Sequence, residues 1–358
     1  MARKRWILPR SEVHQKPIFY HCISRVVDRR RAFSADDKEK FRMFMRMYEN
    51  FTGCRVVSYC LMCNHIHLLV EVPAAPVNGF TDEELLQRLR AIYNEAFVAG
   101  IAKELFEARK NGSAKEISNQ VLEIHSRFTR RMYDLSQFMK GLLQRFTQTY
   151  NRAHKRTGNL WEDAFKSVIV EDGIAAKTIA AYIDLNPVRA GMVKDPAEYR
   201  WSSYGEAIGG GNKGNGKKAR AGLVRAMRAH LGTPADASFW PHDVSKEYRK
   251  ILLTGSIERK TESATKDGKH HAKITRKGIS KVQASTEPED ISLGKMLRHR
   301  IRYFTDGAII GSRNFINETF AAARDRFGPN RKTGARKLKG AASPAASVLW
   351  SLRDLSKS

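Results

Sequence analysis

Residues 54–72 read CRVVSYCLMCNHIHLLVEV. Two apolar, β-prone runs, Cys54 to Met62 and Ile66 to Val72, flank the polar trio Cys63, Asn64 and His65, and Pro73 ends the second run. That pattern predicts an antiparallel hairpin. On a strand alternate residues share a face, so His65 and His67 project together while Ile66, Leu68 and Val70 point to the opposite side and can enter a core. Two imidazoles on one strand face can hold one metal ion. The same pair also reads as hydrogen-bonding or water-facing histidines of an ordinary hairpin. Cys60 and Cys63 stand at C-x-x-C spacing just upstream. Gathering all four side chains around a tetrahedral zinc would break the hairpin, so the cysteines read as small core residues.

Outward from the hairpin the elements alternate in type. Pro17 to Ser24 (PIFYHCIS) is a predicted strand, with Tyr20 and His21 as sheet residues, and Asp36 to Phe51 places Phe41, Phe44, Met45 and Tyr48 at helical spacing. Pro73 to about Ser136 is rich in Ala, Glu and Arg and reads as helices. Ser136 then opens a basic helix, SQFMKGLLQRFTQTYNRAHKR. A turn at Gly158 and Asn159, a short strand at Lys166 to Val170 and a helix from Asp172 follow, and Pro187 stops that helix. The Gly- and Lys-rich tract 205–222 and the polar stretch 255–288 read as linkers. Helical periodicity returns at ISLGKMLRHRIRYF (291–304) and SRNFINETFAAARDRF (312–327), a pair that is similar to a helix-turn-helix.

Composition narrows the partners. The chain has 358 residues, too many for one ordinary core, and 64 Lys and Arg against 37 Asp and Glu leave a net charge of +27. A surplus of that size favours polyanions, nucleic acid first. No apolar run approaches the roughly 20 residues a membrane span needs, and the basic start MARKRWILPR lacks a signal-peptide pattern. Four cysteines (Cys22, Cys54, Cys60, Cys63) without that pattern point to reduced thiols in a cytosolic setting. The expected localisation is therefore cytoplasmic, with no membrane partner.

A second feature is Tyr182 to Gly191, YIDLNPVRAG. Tyr182 and Asn186 are four apart and share one helix face near its C-terminal end; taken alone, such a tyrosine equally reads as a core residue. Set beside the hairpin, this string resembles the HUH-type single-tyrosine transposases, most closely the REP-associated tyrosine transposases, whose core is an IS200-like transposase domain. The resemblance runs through YHCISRVVDRRRAF (20–33), LMCNHIHLL (61–69), SQFMKGLLQRFTQTYNRAHKRTGNLWEDAFKS (136–167) and YIDLNPVRAGMVKDPAEYRWSSY (182–204). The family usually follows its tryptophan with Gln, Gly and Arg, whereas Glu162, Asp163 and Ala164 follow Trp161 here. That departure puts local strand contacts in doubt and leaves the chemistry untouched.

The resemblance implies an α+β fold, an antiparallel sheet flanked by helices of ferredoxin or RRM type. It implies Tyr182 as nucleophile and His65, His67 and Asn186 as ligands of Mg²⁺ or Mn²⁺. The implied activity is cleavage and rejoining of single-stranded DNA at hairpin or palindromic repeats through a 5′-phosphotyrosine link. Arg25, Arg29, Arg30 and Arg31, after the first strand, are candidates for phosphate contact. The expected organisation is a transposase domain over 14–204 with a helical insertion at 73–135, a basic flexible linker region at 205–290 and a helical tail at 291–358. A relaxase or replication initiator would carry more histidines or paired tyrosines, and a DNA-binding regulator without chemistry would show a damaged constellation. Monomer and homodimer both stay open.

Overall fold

The computed structural model describes residues 6–8, 16–110, 113–211, 214–231, 240–255, 258–266, 269–277, 303–306, 308–324, 334–337 and 349–352. Its centre is a sheet of β1 (Ile18–Arg25), β2 (Arg55–Leu61), β3 (His65–Val72), β4 (Lys166–Val170), β7 (Ile309–Gly311), β8 (Arg336–Lys337) and β9 (Trp350–Leu352). The strand order is β2-β3-β1-β4-β7-β9-β8. The predicted hairpin forms, with Cys60 opposite His67 and Leu61 opposite Ile66. β1 pairs antiparallel with both β3 and β4, so it lies at the middle of the four-strand core.

Alternation along these strands divides the side chains between two cores. Tyr20, Cys22, Ile66, Leu68 and Val70 face α1 (Ala35–Thr52) and α5 (Leu135–Ala153). Ser34 caps α1 with Asp37 at its third position, and Asp134 caps α5. The two helices approach closely at Gly141, where a Cβ would lie 2.3 Å from the Tyr48 ring, so only glycine fits. On the opposite face Phe19, Leu69, Val168 and Val170 meet α6 (Ile174–Asp184). The expected α+β architecture is therefore present, a sheet flanked by helices whose four-strand core β2-β3-β1-β4 is antiparallel.

The stretch between Pro73 and Ser136 folds as α2 (Asp82–Leu89), α3 (Glu95–Lys110) and α4 (Ala114–Thr129). Thr81 with Glu84 and Ser113 with Glu116 form capping boxes at two of their starts. Leu85, Leu89, Val98, Ile101 and Leu105 join the core beneath α1, and the Tyr133 N–H donates to the Thr52 carbonyl at the end of that helix. The inserted helices thus extend the existing core.

After α7 (Asn186–Arg189) and α8 (Ser203–Gly209), the residues read as a linker differ from that expectation. They form α9 (Gly214–Arg228) and α10 (His242–Gly255), then a separate hairpin of β5 (Glu258–Lys266) and β6 (Lys269–Lys277). Ala219, Leu223 and Ala226 of α9 and Val244, Tyr248, Ile251 and Leu252 of α10 are buried on the α6 side of the sheet. Gly222 brings the α9 backbone against β2, where a Cβ would sit 2.6 Å from the Val57 carbonyl. Tertiary packing here overrides a composition that favours loops.

The tail also departs from a helix-turn-helix. Most of its first expected helix, 291–302, lies outside the described residues, as does 325–327. What is described is α11 (Tyr303–Asp306), β7, α12 (Arg313–Ala322, capped by Ser312), β8 and β9. β7 pairs parallel with β4, Ile169 opposite Ile309 and Val170 opposite Ile310, and β9 covers its other edge. Ile309 and Ile310 are fully buried, one in each core. The described residues of the tail therefore build the sheet.

This integration is testable. Ile310→Ala should cost about 2–5 kcal/mol in urea unfolding, as large-to-small changes in packed cores do. A cost below about 0.5 kcal/mol would show that the tail strands do not support the core.

Candidate functional site

The α6 face of the sheet carries His21 and Arg25 from β1 and His65 and His67 from β3, because Arg25 pairs with His65, Ile23 with His67 and His21 with Leu69. Directly paired residues of an antiparallel ladder share a face. α6 crosses that face and brings Tyr182 over the histidines. The Tyr182 ring centroid lies 6.1 Å from those of both His67 and His21, edge-on. The His65 and His67 rings are 5.0 Å apart and nearly perpendicular. The two sequence strings thus meet in space, although more than a hundred residues separate them.

Each histidine is held by its Nδ1. The Asn64 Nδ2 donates to the Arg29 carbonyl at 2.7 Å, which fixes its Oδ1 as the acceptor for His65 Nδ1 at 2.7 Å. His67 Nδ1 meets His21 Nε2 at 3.0 Å. Burial pushes the His67 imidazole well below its ordinary value, reinforced by His65, His21 and Arg189 nearby. His21 is lowered to about 4 by burial, although the Phe304 carbonyl opposes that shift. Both rings are therefore neutral at pH 7, the form in which imidazole binds metals.

Arg189 of α7 lies with its guanidinium carbon 4.0 Å from the Tyr182 ring centroid, and its Nη2 donates to the Tyr182 carbonyl at 2.5 Å. Phe304 of α11 packs edge-on against the same ring at 5.0 Å, leaving Tyr182 only 6% exposed. α6 itself is anchored by Asp184, which is fully buried and accepts from Tyr248 Oη at 2.6 Å and from the Tyr204 N–H at 2.9 Å. Burial pushes this carboxyl up to about 7 against those hydrogen bonds.

Asn186 begins α7, and its amide nitrogen is turned back toward the Tyr182 and Ile183 carbonyls at 3.3 and 3.1 Å. Those contacts use the amide nitrogen and not Oδ1, the atom of the pair that can accept a hydrogen bond or meet a cation. Among the described residues no group of three or more His, Cys, Asp or Glu is placed to hold a metal ion. The donor types that His65, His67 and Asn186 carry, imidazole nitrogen and amide oxygen, are ones that suit Mn²⁺ or Mg²⁺. Cys60 lies in the core with its Sγ 3.6 Å from Met62 Sδ, and burial pushes its thiol well up, the reverse of what a zinc thiolate needs.

Arg25, Arg29, Arg30 and Arg31 are all exposed. Their loop is stitched to the histidine turn, with the Val26 N–H donating to the Asn64 carbonyl and the Ala32 and Phe33 N–H groups to that of Cys63. Arg25, Arg29, Glu162, Asp163, Lys166 and Thr305 line a cleft of about 300 Å³ beside the end of β1. The two acids that depart from the family pattern therefore sit among the basic residues, and Arg29 approaches Glu162 at 3.8 Å. Sequence reasoning missed Lys166, Arg189, Phe304 and the contact made by His21. Lys166 is exposed and shares a face with Ile23, its partner across β1 and β4. Only period-two alternation on β4 signals it.

Residues 14–80 match the family of IS200-like transposases. The match includes His21, His65 and His67 and ends before Tyr182. A solved structure of a REP-associated tyrosine transposase bound to a REP hairpin is similar over 60% of this chain and 90% of its own, at 12% identity and a TM-score of 0.33. No curated protein matches the chain. No helix among the described residues is long and apolar enough to cross a membrane.

The anchoring of α6 predicts a stability effect. Tyr248→Phe removes the buried donor to Asp184 and should cost about 1–3 kcal/mol in urea unfolding. An unchanged midpoint would show that Asp184 does not depend on α10.

Proposed function

We propose that this chain cleaves and rejoins single-stranded DNA, with Tyr182 as the nucleophile. The observation that carries this reading is the meeting of Tyr182 with His65 and His67 on one sheet face, supported by the IS200-like match over residues 14–80. In the reaction the Tyr182 phenol oxygen bonds to the scissile phosphorus and the P–O3′ bond breaks. The products are a 5′-phosphotyrosine and a 3′-hydroxyl, the phenol proton passing to solvent and the leaving oxygen taking one up. Rejoining is the reverse attack by a 3′-hydroxyl, so the phosphoester is conserved and no nucleotide is consumed.

The surrounding residues serve that chemistry. Arg189 places a cation against the phenol ring, where it stabilises charge developing on the oxygen at attack. His65 and His67 through Nε2 and Asn186 through Oδ1 would hold Mg²⁺ or Mn²⁺. The bound ion supplies Lewis-acid polarisation of the phosphate. With the phenol packed beneath Phe304, in-line attack requires the Phe304 ring to swing aside. Arg25, Lys166 and Arg29 to Arg31 form a basic rim along which a single strand can lie, its phosphates paired with these cations. The substrate class is single-stranded DNA flanking a hairpin or palindromic repeat.

Tyr182→Phe should bind DNA as the wild type does and yield neither cleavage nor a denaturation-resistant protein–DNA adduct on gels. Chelator should stop wild-type cleavage, and Mg²⁺ or Mn²⁺ should restore it. Cleavage by the Phe variant at the wild-type rate would overturn the assignment.

The rim makes a separate prediction. Replacing both Arg25 and Lys166 by Ala should make the slope of log affinity against log salt shallower by about 1.4, since each phosphate contact on a single strand contributes about 0.7. An unchanged slope would place the strand elsewhere.

A further inference from the structure

His21 is fully buried and joins two groups of different kinds. Its Nδ1 lies 2.7 Å from the Phe304 carbonyl oxygen, and its Nε2 lies 3.0 Å from His67 Nδ1. A carbonyl oxygen only accepts, so His21 Nδ1 must carry the hydrogen. A neutral ring then has a bare Nε2, which accepts from His67 Nδ1–H. His67 is left with its lone pair on Nε2. Ring placement agrees with a hydrogen bond between these two nitrogens. The His21 and His67 rings are inclined by only 24°, and their centroids are 5.2 Å apart, about two ring radii more than the nitrogen separation. The hydrogen bond therefore lies near both ring planes, edge to edge.

We propose that His21 is a positioning residue, fixing through the Phe304 carbonyl the tautomer of His67 that turns an Nε2 lone pair toward a divalent cation. This inference rests on the metal reading of the site given above. It gives the tail a chemical role: the carbonyl that starts the relay belongs to α11, which lies 283 residues along the chain from β1. On β3 the arrangement is doubled, because Asn64 constrains His65 Nδ1 in the same way. Metal-binding histidines generally have the second ring nitrogen held like this, and loss of the holding partner typically weakens metal affinity 10- to 100-fold.

Histidine ¹⁵N NMR of the metal-free full chain reads the tautomer directly, and Mn²⁺ titration followed by EPR reads the affinity. In the wild type His67 should carry its hydrogen on Nδ1. In His21→Phe, which keeps the bulk without the nitrogens, His67 should become a tautomer mixture and Mn²⁺ should bind 10- to 100-fold more weakly. His21→Gln can donate with its amide N–H and accept with its oxygen, so it should recover most of that affinity. Wild-type His67 protonated on Nε2 would overturn the proposal, and this measurement stands even if His21→Phe fails to fold. A folded His21→Phe with unchanged tautomer and Mn²⁺ affinity would overturn it as well. Absent Mn²⁺ binding in a wild type that shows the Nδ1–H tautomer would overturn the metal reading and leave the relay standing.

Discussion

The antiparallel pairing of β1 with β3 is the constraint on which the site depends. Its register sets Arg25 opposite His65, Ile23 opposite His67 and His21 opposite Leu69. A slip of one residue would turn the other set of alternating side chains to this face and bury the histidines beneath α1 and α5. The hydrophobic pattern forbids such a slip, because Cys22, Ile66, Leu68 and Val70 fill the opposite core. Core packing and histidine placement are thus one specification. α6 then needs only to cross that face, which its alanine-rich surface (Ala175, Ala176, Ala180, Ala181) allows at close range.

The charge surplus is distributed unevenly between interior and rim. Arg42 and Arg46 converge on the buried Glu206, which Tyr59 Oη also reaches, and Arg55 and Arg225 converge on the buried Glu71. Those arginines are committed to buried acids, and removing one partner of such a pair is costly because the other charge stays desolvated. Arg25, Lys166 and Arg29 to Arg31 remain exposed along the edge of the histidine face. The net charge of +27 therefore overstates what any one surface offers a polyanion, and position decides which cations count.

Much of this was legible in the sequence, for physical reasons that differ element by element. The hairpin was readable because period-two alternation separates His65 and His67 from Ile66, Leu68 and Val70, and the Tyr182 helix because Pro187 dictates its end. α9 was not readable as a helix: glycines and lysines hide the spacing of Ala219, Leu223 and Ala226, and its stability comes from packing on β2. β7 and β9 are three residues each, too short for a periodic signal; β7 owes its existence to the edge of β4, and β9 to the edge of β7. His21 looked like a sheet residue, which it is. Its second role appears only through a backbone carbonyl 283 residues away, and a carbonyl leaves no trace in residue identity.

The chemistry proposed for Tyr182, His65 and His67 is a covalent link to DNA. The most direct measurement is peptide mass spectrometry on the adduct trapped from the full chain, Mn²⁺ and a single strand flanking a hairpin. A 5′-phosphodeoxynucleotide remnant on the peptide carrying Tyr182 is the predicted result. A remnant on Tyr199 or Tyr204, which lie on the same side of the sheet, or strand cleavage without any protein-linked remnant, would contradict it.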